Sequence, residues 1–310
     1  MKILASRRFP GRAFDELADV ELLEAPLPEG LGDGRPGVEA LAVVAEVVDD
    51  RSLDLLPDVR VVANYGVGYD VIDVEACRRR GVMVTNTPGV LDAATADLAF
   101  GLIIAARRRI VEVDAFVRSG RWGTDWYMTS LDGDDVSGAT LGIVGLGRIG
   151  AAVARRARAF DMEVIYTRRN RLAEDDERTL GVSYRELDDL LSEAEIVSLH
   201  VPLTAETRGL IDVRRIALLR SDACLINTAR GPLVDEDALV EALAGGRLRA
   251  GLDVFVHEPS VPDRLRDLPN VVLTPHIGSA TLSTREAMTR VLVDNLLAAE
   301  AGRPPPNPVT

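Results

Sequence analysis

A chain of 310 residues that is 47% apolar is long enough for two ordinary α/β domains, each with its own core. Its 36 basic and 49 acidic side chains leave a formal net charge of −13, which argues against broad nucleic-acid binding. No apolar run reaches the ~18–20 residues that span a bilayer and no secretory signal is visible, so a cytoplasmic protein without membrane attachment is expected.

In chain order, residues 2–5 read as a strand, 11–18 as a helix and 20–23 as a second strand. Residues 29–37 are rich in Gly and Pro and read as a loop. Strands are expected at 41–45, 59–63 and 82–85, with helices at 50–56 and 71–80 between them. Short strands alternating with helices imply a parallel, doubly wound sheet. Residues 91–118 read as one long helix, with Leu98, Leu102, Ala105 and Ala106 at helical spacing, suited to connecting two domains. The loop that follows, 119–138, holds both tryptophans, Trp122 and Trp126. It is either a packed loop or dimer seam, or an aromatic wall near a substrate.

A second αβ series starts at Leu141. Strands are expected at 141–144, 164–167, 196–200, 223–227, 250–254 and 271–273, with helices at 214–219 and 236–244. A last helix is expected from Thr281 to about Glu300, crossing back to the first domain. The boundaries this implies are 1–97 plus 285–310 for one domain and 98–284 for the other. Ligands of such folds bind in clefts outside the carboxyl ends of strands. The cysteines, Cys77 and Cys224, fall in apolar contexts and read as reduced thiols rather than a disulfide.

The chemistry centres on Gly145-Leu146-Gly147-Arg148-Ile149-Gly150. This G-x-G-x-x-G sits between a strand and a helix of strong helix formers, the context in which it cradles a dinucleotide pyrophosphate. The free N–H groups of the helix N-terminus favour that anion. A dinucleotide implies hydride transfer, which needs an acid–base group and an anchor for the substrate. His276 lies just past the 271–273 strand, Arg230 just past 223–227 and Glu258 just past 250–254, so one sheet edge would collect all three. An arginine there clamps a carboxylate, and a carboxylate beside a histidine orients the ring and readies it as a proton donor. No metal is expected.

The cofactor can be read further. An NAD-reading carboxylate belongs at the end of the second strand, about 20 residues past the glycines. Here the strand ends Thr167-Arg168-Arg169-Asn170-Arg171, the first acid after it is Glu174, and Glu163 starts the strand at its opposite end. Two arginines with a threonine hydroxyl suit a 2′-phosphate, so NADP(H) is expected in preference to NAD(H).

The chain resembles the D-isomer-specific 2-hydroxyacid dehydrogenases over nearly its whole length. The likeness rests on Asn64-Tyr65-Gly66-Val67-Gly68-Tyr69-Asp70, Thr85-Asn86-Thr87-Pro88-Gly89-Val90-Leu91, Thr95-Ala96-Asp97-Leu98-Ala99 and the glycine motif. It continues through Leu199-His200-Val201-Pro202-Leu203-Thr204 and the stretches 225–231, 251–255 and 274–280. The branch it is most similar to is the glyoxylate and hydroxypyruvate reductases. The resemblance implies a flavodoxin-like substrate domain, a Rossmann dinucleotide domain and a cleft between them. It implies reduction of a small 2-oxo acid to the D-2-hydroxy acid, with Arg230, Glu258 and His276 catalytic. By the same resemblance, backbone N–H groups of Val67 and Gly68 hold the substrate carboxylate. Thr95, Arg148, Ile149, Val201, Pro202, Thr207, Thr228, Ala229, Asp253, His276 and Gly278 line the cofactor. A homodimer through the dinucleotide domain is implied as well, with Trp126 reaching the partner's site. Val256 departs from the pattern, because many members have Glu there, and Glu258 is then the acid at that site. Phosphoglycerate, formate or phosphite dehydrogenases of the same fold, and dinucleotide-sensing corepressors, are the alternatives.

Overall fold

The computed structural model describes residues 1–123 and 131–309. It divides into two compact units, Met1–Leu91 with Ser279–Thr310, and Asp92–Gly278. Each parting falls six residues before the boundary expected from the sequence, at 91 instead of 97 and at 278 instead of 284.

The first unit is a five-stranded parallel sheet. Its strands are β1 (Ile3–Ala5), β2 (Val20–Leu22), β3 (Ala40–Val43), β4 (Val61–Asn64) and β5 (Met83–Thr85), in the order β2-β1-β3-β4-β5. That order is flavodoxin-like. β3 and β4 are buried at every position, as expected of near-continuous apolar strands covered on both faces. Helices α1 (Asp50–Asp54) and α2 (Val74–Arg79) begin where aspartates cap them: Asp49 accepts from Ser52 N at 2.9 Å and Asp73 from Ala76 N at 2.8 Å. The Asp73 cap sets the start of α2 at Val74, later than the 71 expected. Residues 11–18 are not an α-helix but a single 3₁₀ turn, Arg12–Glu16, entered through Gly11 at φ 92 and left by an extended Leu17.

The second unit opens with α3 (Asp92–Arg107) and α4 (Ile110–Arg118). The single helix expected over 91–118 is therefore two. The break has a visible cause: the carbonyl of Arg107, which a continuing helix would use, accepts from Asp134 N at 2.8 Å. Arg109 then turns into the left-handed region at φ 54 and its guanidinium binds Glu112 at 2.6 and 2.8 Å.

Seven parallel strands follow: β6 (Thr140–Val144), β7 (Glu163–Thr167), β8 (Ser183–Tyr184), β9 (Ile196–Leu199), β10 (Cys224–Asn227), β11 (Arg249–Leu252) and β12 (Val271–Leu273). Their order is β12-β11-β10-β9-β6-β7-β8. This is the doubly wound dinucleotide-binding order with one strand added, and its direction reverses between β6 and β9, where such sheets bind their ligand. Helices α5 (Arg148–Ala157), α6 (Glu174–Leu180), α7 (Leu187–Glu193), α8 (Val213–Leu218), α9 (Glu236–Ala244) and α10 (Asp263–Arg266) connect them. The sequence reading named none of α6, β8 and α7. α6 opens with four acids and lacks an apolar stripe, and β8 has two residues.

The chain then returns to the first unit as α11 (Leu282–Glu300), capped by Thr281 and packed on β4 and the Arg12–Glu16 turn through buried Met288, Leu292, Val293 and Leu296. After it, Pro308 bridges Thr85 antiparallel and Val309 N donates to Val84 O at 2.8 Å.

Candidate active site

Each glycine of the β6–α5 loop has a separate constraint. Gly145 stands at φ 98, and a Cβ there would lie 2.7 Å from the His200 backbone and from Val201. A Cβ on Gly150 would lie 2.3 Å from Gly145 O, so only glycine lets α5 pack this closely on the loop. Gly147 is exposed and a Cβ there would meet nothing within 4 Å. It caps α5 without a side-chain hydrogen bond, and the first turn of α5 has no acid. Free N–H groups and the positive end of a helix thus face open space at a glycine, which fits a dinucleotide pyrophosphate. Arg148 is exposed and Ile149 half-buried beside it.

At the end of β7, Thr167 and Arg168 are half-buried and Arg169 is exposed. Arg168 Nη1 lies 3.5 Å from Leu146 O in the glycine loop. Arg171 faces elsewhere: it binds Glu177 at 2.8 and 2.9 Å, and the buried Tyr166 hydroxyl donates to the same carboxylate at 2.6 Å. Those two donors hold Glu177 down at about 2. Sequence reasoning did not find this clamp, although Tyr166 at an inward strand position was its signal. Glu163 is exposed at the far end of β7.

Three further strand ends carry the remaining candidates. After β10, buried Asn227 accepts from Ala229 N at 3.0 Å and donates to Arg230 O at 2.8 Å, which shapes the turn that presents Arg230. A Cβ on Gly231 would fall 2.0 Å from the Phe255 carbonyl carbon, so this turn and the one after β11 touch backbone to backbone. That contact brings Arg230 near Glu258. Burial pushes the Glu258 carboxyl up, but His276, the Phe255 N–H and the Arg230 charge outweigh it, and the net shift is downward. One Glu258 oxygen accepts from Phe255 N at 3.0 Å and the other faces His276 Nδ1 at 2.6 Å. With Nδ1–H donating to Glu258, Nε2 is the ring atom left to exchange a proton with a ligand.

His276 sits after β12 in the left-handed region at φ 52, and its N–H donates to Asp253 O at 2.8 Å. Asp253 is fully buried. Its carboxylate accepts from Thr274 Oγ1 at 2.6 Å, Ile277 N at 2.8 Å and Gly278 N at 2.8 Å, so it fixes the turn that carries His276. Burial raises Asp253 above the usual carboxylate range even against those donors. Gly278 leaves room for Thr95, whose Cγ2 would stand 3.4 Å from an added Cβ. Thr207 Oγ1 donates to Pro202 O at 2.7 Å and shapes the turn after Val201, while the buried Thr228 hydroxyl has no hydrogen-bond partner among the described residues. His200, held at 2.8 Å to Ser198 Oγ, is pushed down to about 4 by desolvation and is neutral at pH 7.

The model of the D-isomer specific 2-hydroxyacid dehydrogenase NAD binding domain matches residues 100–278. The chain belongs to the D-isomer-specific 2-hydroxyacid dehydrogenase family. The second unit of this dehydrogenase is thus the family's NAD-binding domain. The chain is 46% identical to the glyoxylate reductase of Thermococcus litoralis across 99% of its own length and 96% of that protein's. A solved structure of a Thermus thermophilus protein is 46% identical and superposes with a TM-score of 0.91 over the full length of both chains. A Sinorhizobium meliloti NADPH-dependent glyoxylate/hydroxypyruvate reductase, solved with NADP and malonate, is 35% identical. It has a TM-score of 0.88 and is matched over 100% of this chain and 96% of that one.

Val67 and Gly68 lie in the first unit, in the loop after β4, and are half-buried. Trp126 lies outside the described residues. Among the described residues no helix is long and apolar enough to cross a membrane, and no group of three His, Cys, Asp or Glu could hold a metal.

Proposed function

We propose that this dehydrogenase reduces small 2-oxo acids of the glyoxylate and hydroxypyruvate class to D-2-hydroxy acids, with NADPH preferred over NADH. The observation that carries the reading is the 2.6 Å Glu258–His276 pair beside Arg230, on the sheet whose glycine loop fits a dinucleotide. The glycine loop Gly145–Gly150 and the start of α5 would hold a reduced nicotinamide dinucleotide, which would supply the hydride that the carbonyl carbon accepts. Arg230 pairs with the substrate carboxylate and polarises the carbonyl. Nε2 of His276 delivers a proton to the developing alkoxide, and Glu258 holds the ring for that transfer. The backbone of Val67 and Gly68 in the first unit, the substrate-binding domain in this reading, holds the carboxylate as well. Thr95, Val201, Pro202, Thr207, Thr228, Ala229, Asp253 and Gly278 border the cofactor.

The preference for NADPH rests on Thr167, Arg168 and Arg169 and on the absence of an acid at that strand end. Arg171 plays no part, since Glu177 occupies it. The protein works as a cytoplasmic homodimer, paired through the second unit. On α4 and beyond it, Ile110, Val111, Val117 and Trp122 are 46%, 53%, 50% and 65% exposed, an apolar surface suited to a second copy. Burial pushes the thiols of Cys77 and Cys224 up to about 11 and about 12, so both are inert in a reducing compartment. Oxidation of NADPH and of NADH with glyoxylate, hydroxypyruvate, pyruvate and phosphonopyruvate tests the reading. Activity confined to glyoxylate and hydroxypyruvate, and higher with NADPH, is expected. No turnover of either acid overturns it.

A further inference from the structure

The loop after β4 is gripped by side-chain amides in an unusual way. Asn64, 3% exposed at the end of β4, donates from one Nδ2 to two carbonyls, Gly66 O at 3.2 Å and Gly68 O at 2.9 Å. Asn86, just past the neighbouring β5, donates from Nδ2 to the carbonyl between them, Val67 O at 3.0 Å. Thr87 N adds a second bond to Gly66 O at 3.0 Å. Three consecutive carbonyls are therefore all taken.

A trans peptide is planar, and its C=O and the N–H of the next residue point in opposite directions. Tying down the carbonyls of Gly66, Val67 and Gly68 thus turns the N–H groups of Val67, Gly68 and Tyr69 away from the asparagines. The carbonyls of Gly66 and Gly68 meet at one nitrogen, so the N–H groups of Val67 and Tyr69 share a side. Among the described residues none of the three N–H groups donates to an acceptor. Asn86 is itself fixed along its backbone. Its carbonyl accepts from Asn295 Nδ2 at 3.2 Å, on α11, and its N–H donates to Asn307 O at 3.3 Å. Asn295 is fully buried and its oxygen accepts from Asn307 N at 3.0 Å.

We propose that Asn64 and Asn86 are positioning residues that preorganise an anion-binding row of three backbone donors, with Tyr69 N–H as the third. The proposal rests on the reading that this loop holds the substrate carboxylate. A row already turned outward needs no reordering when the carboxylate arrives, so the asparagines act on affinity without touching the ligand.

The test uses Asn64→Asp, which keeps the shape and removes both donations, and Asn86→Ala. KM and kcat for glyoxylate are measured with NADPH. Oxalate binding by calorimetry in the presence of NADPH gives a second readout of the carboxylate site. Roughly tenfold increases in KM and in oxalate Kd are expected, with kcat within about threefold and NADPH Kd unchanged. Unchanged KM and oxalate Kd in a folded variant overturn the proposal, as does a loss confined to kcat. If Asn64→Asp does not fold, Asn86→Ala decides alone. A wild-type protein that binds oxalate but reduces neither glyoxylate nor hydroxypyruvate overturns the functional reading, and the oxalate comparison then decides the loop.

Discussion

Replacing Asp253 by Asn gives the sharpest check on how the His276 turn is held. Asp253 accepts three hydrogen bonds, at 2.6, 2.8 and 2.8 Å, in a fully buried position. Asn has one oxygen for the same three donors. It can keep Thr274 and Ile277 on that oxygen, but its amide then faces Gly278 N, donor against donor. A hydrogen bond to a charged group contributes about 1.5–3 kcal/mol, and leaving a buried donor unpaired costs about 1–3 kcal/mol. The substitution also removes the cost of burying a charge, the same cost that raises the Asp253 pKa. A net loss of about 2–3 kcal/mol follows, or roughly 5–10 °C in Tm for a unit of this size. Turnover should fall as well, because the carboxylate holds Ile277 N and Gly278 N in the turn that carries His276, and a misplacement of ~1 Å costs about 10²-fold. Calorimetry of the purified protein and kcat for glyoxylate give the two numbers. A Tm within about 1 °C of wild type with kcat unchanged refutes the reasoning.

Four further outcomes are expected. His276→Ala should lower kcat by roughly 10²–10⁴-fold with NADPH binding retained, measured by turnover and by fluorescence titration. Replacing Arg168 and Arg169 together by Ser should cut kcat/KM for NADPH by about 10-fold or more and leave NADH nearly untouched, as paired kinetics will report. Glu177 is held at about 2 in the folded protein against an ordinary value of 4.5, so its contribution to stability is present above 4.5 and lost as pH falls toward 2. Acid unfolding of Glu177→Gln should therefore depend less on pH across that window. Val117→Glu on α4 should shift sedimentation from dimer to monomer, since it puts a charge into the apolar surface proposed to pair.

Legibility differed by element. The buried strands announced themselves, because β6, β9 and β10 are apolar runs closed by a glycine or polar turn. Asp49, Asp73, Asp212 and Asp235 each cap the helix that follows, and where the cap went unread the start was misplaced, as at α2, which begins at Val74 and not at 71. The break at Arg107 was not legible, since it is made by a residue 27 positions away, Asp134. Arg230, Glu258 and His276 could be placed on one edge from strand ends alone. Their shaping groups could not: Asn227 and Asp253 act through backbone atoms of other turns. The Glu177 clamp was missed because an acid in a run of acids gives no periodic signal. The first unit's asparagine grip on residues 66–68 likewise depends on β4 and β5 being neighbours, a pairing that only the sheet order reveals.

Asp92–Gly278 is continuous, whereas the other unit is assembled from both flanks of the chain. On the ribosome the inserted unit has all of its strands before α11 emerges, so it can finish folding first. Residues 1–91 must wait for residues 279–310 before β4 gains its covering helix and β5 its antiparallel neighbour at Pro308. During that interval β5 presents a bare edge, the kind of strand that recruits another chain. A nascent chain stalled or truncated between residues 279 and 306 should then carry a competent nucleotide fold tethered to an adhesive half-sheet. Loss of the pairing made by residues 307–309 would show itself as insolubility before it showed itself as a defect in cofactor binding.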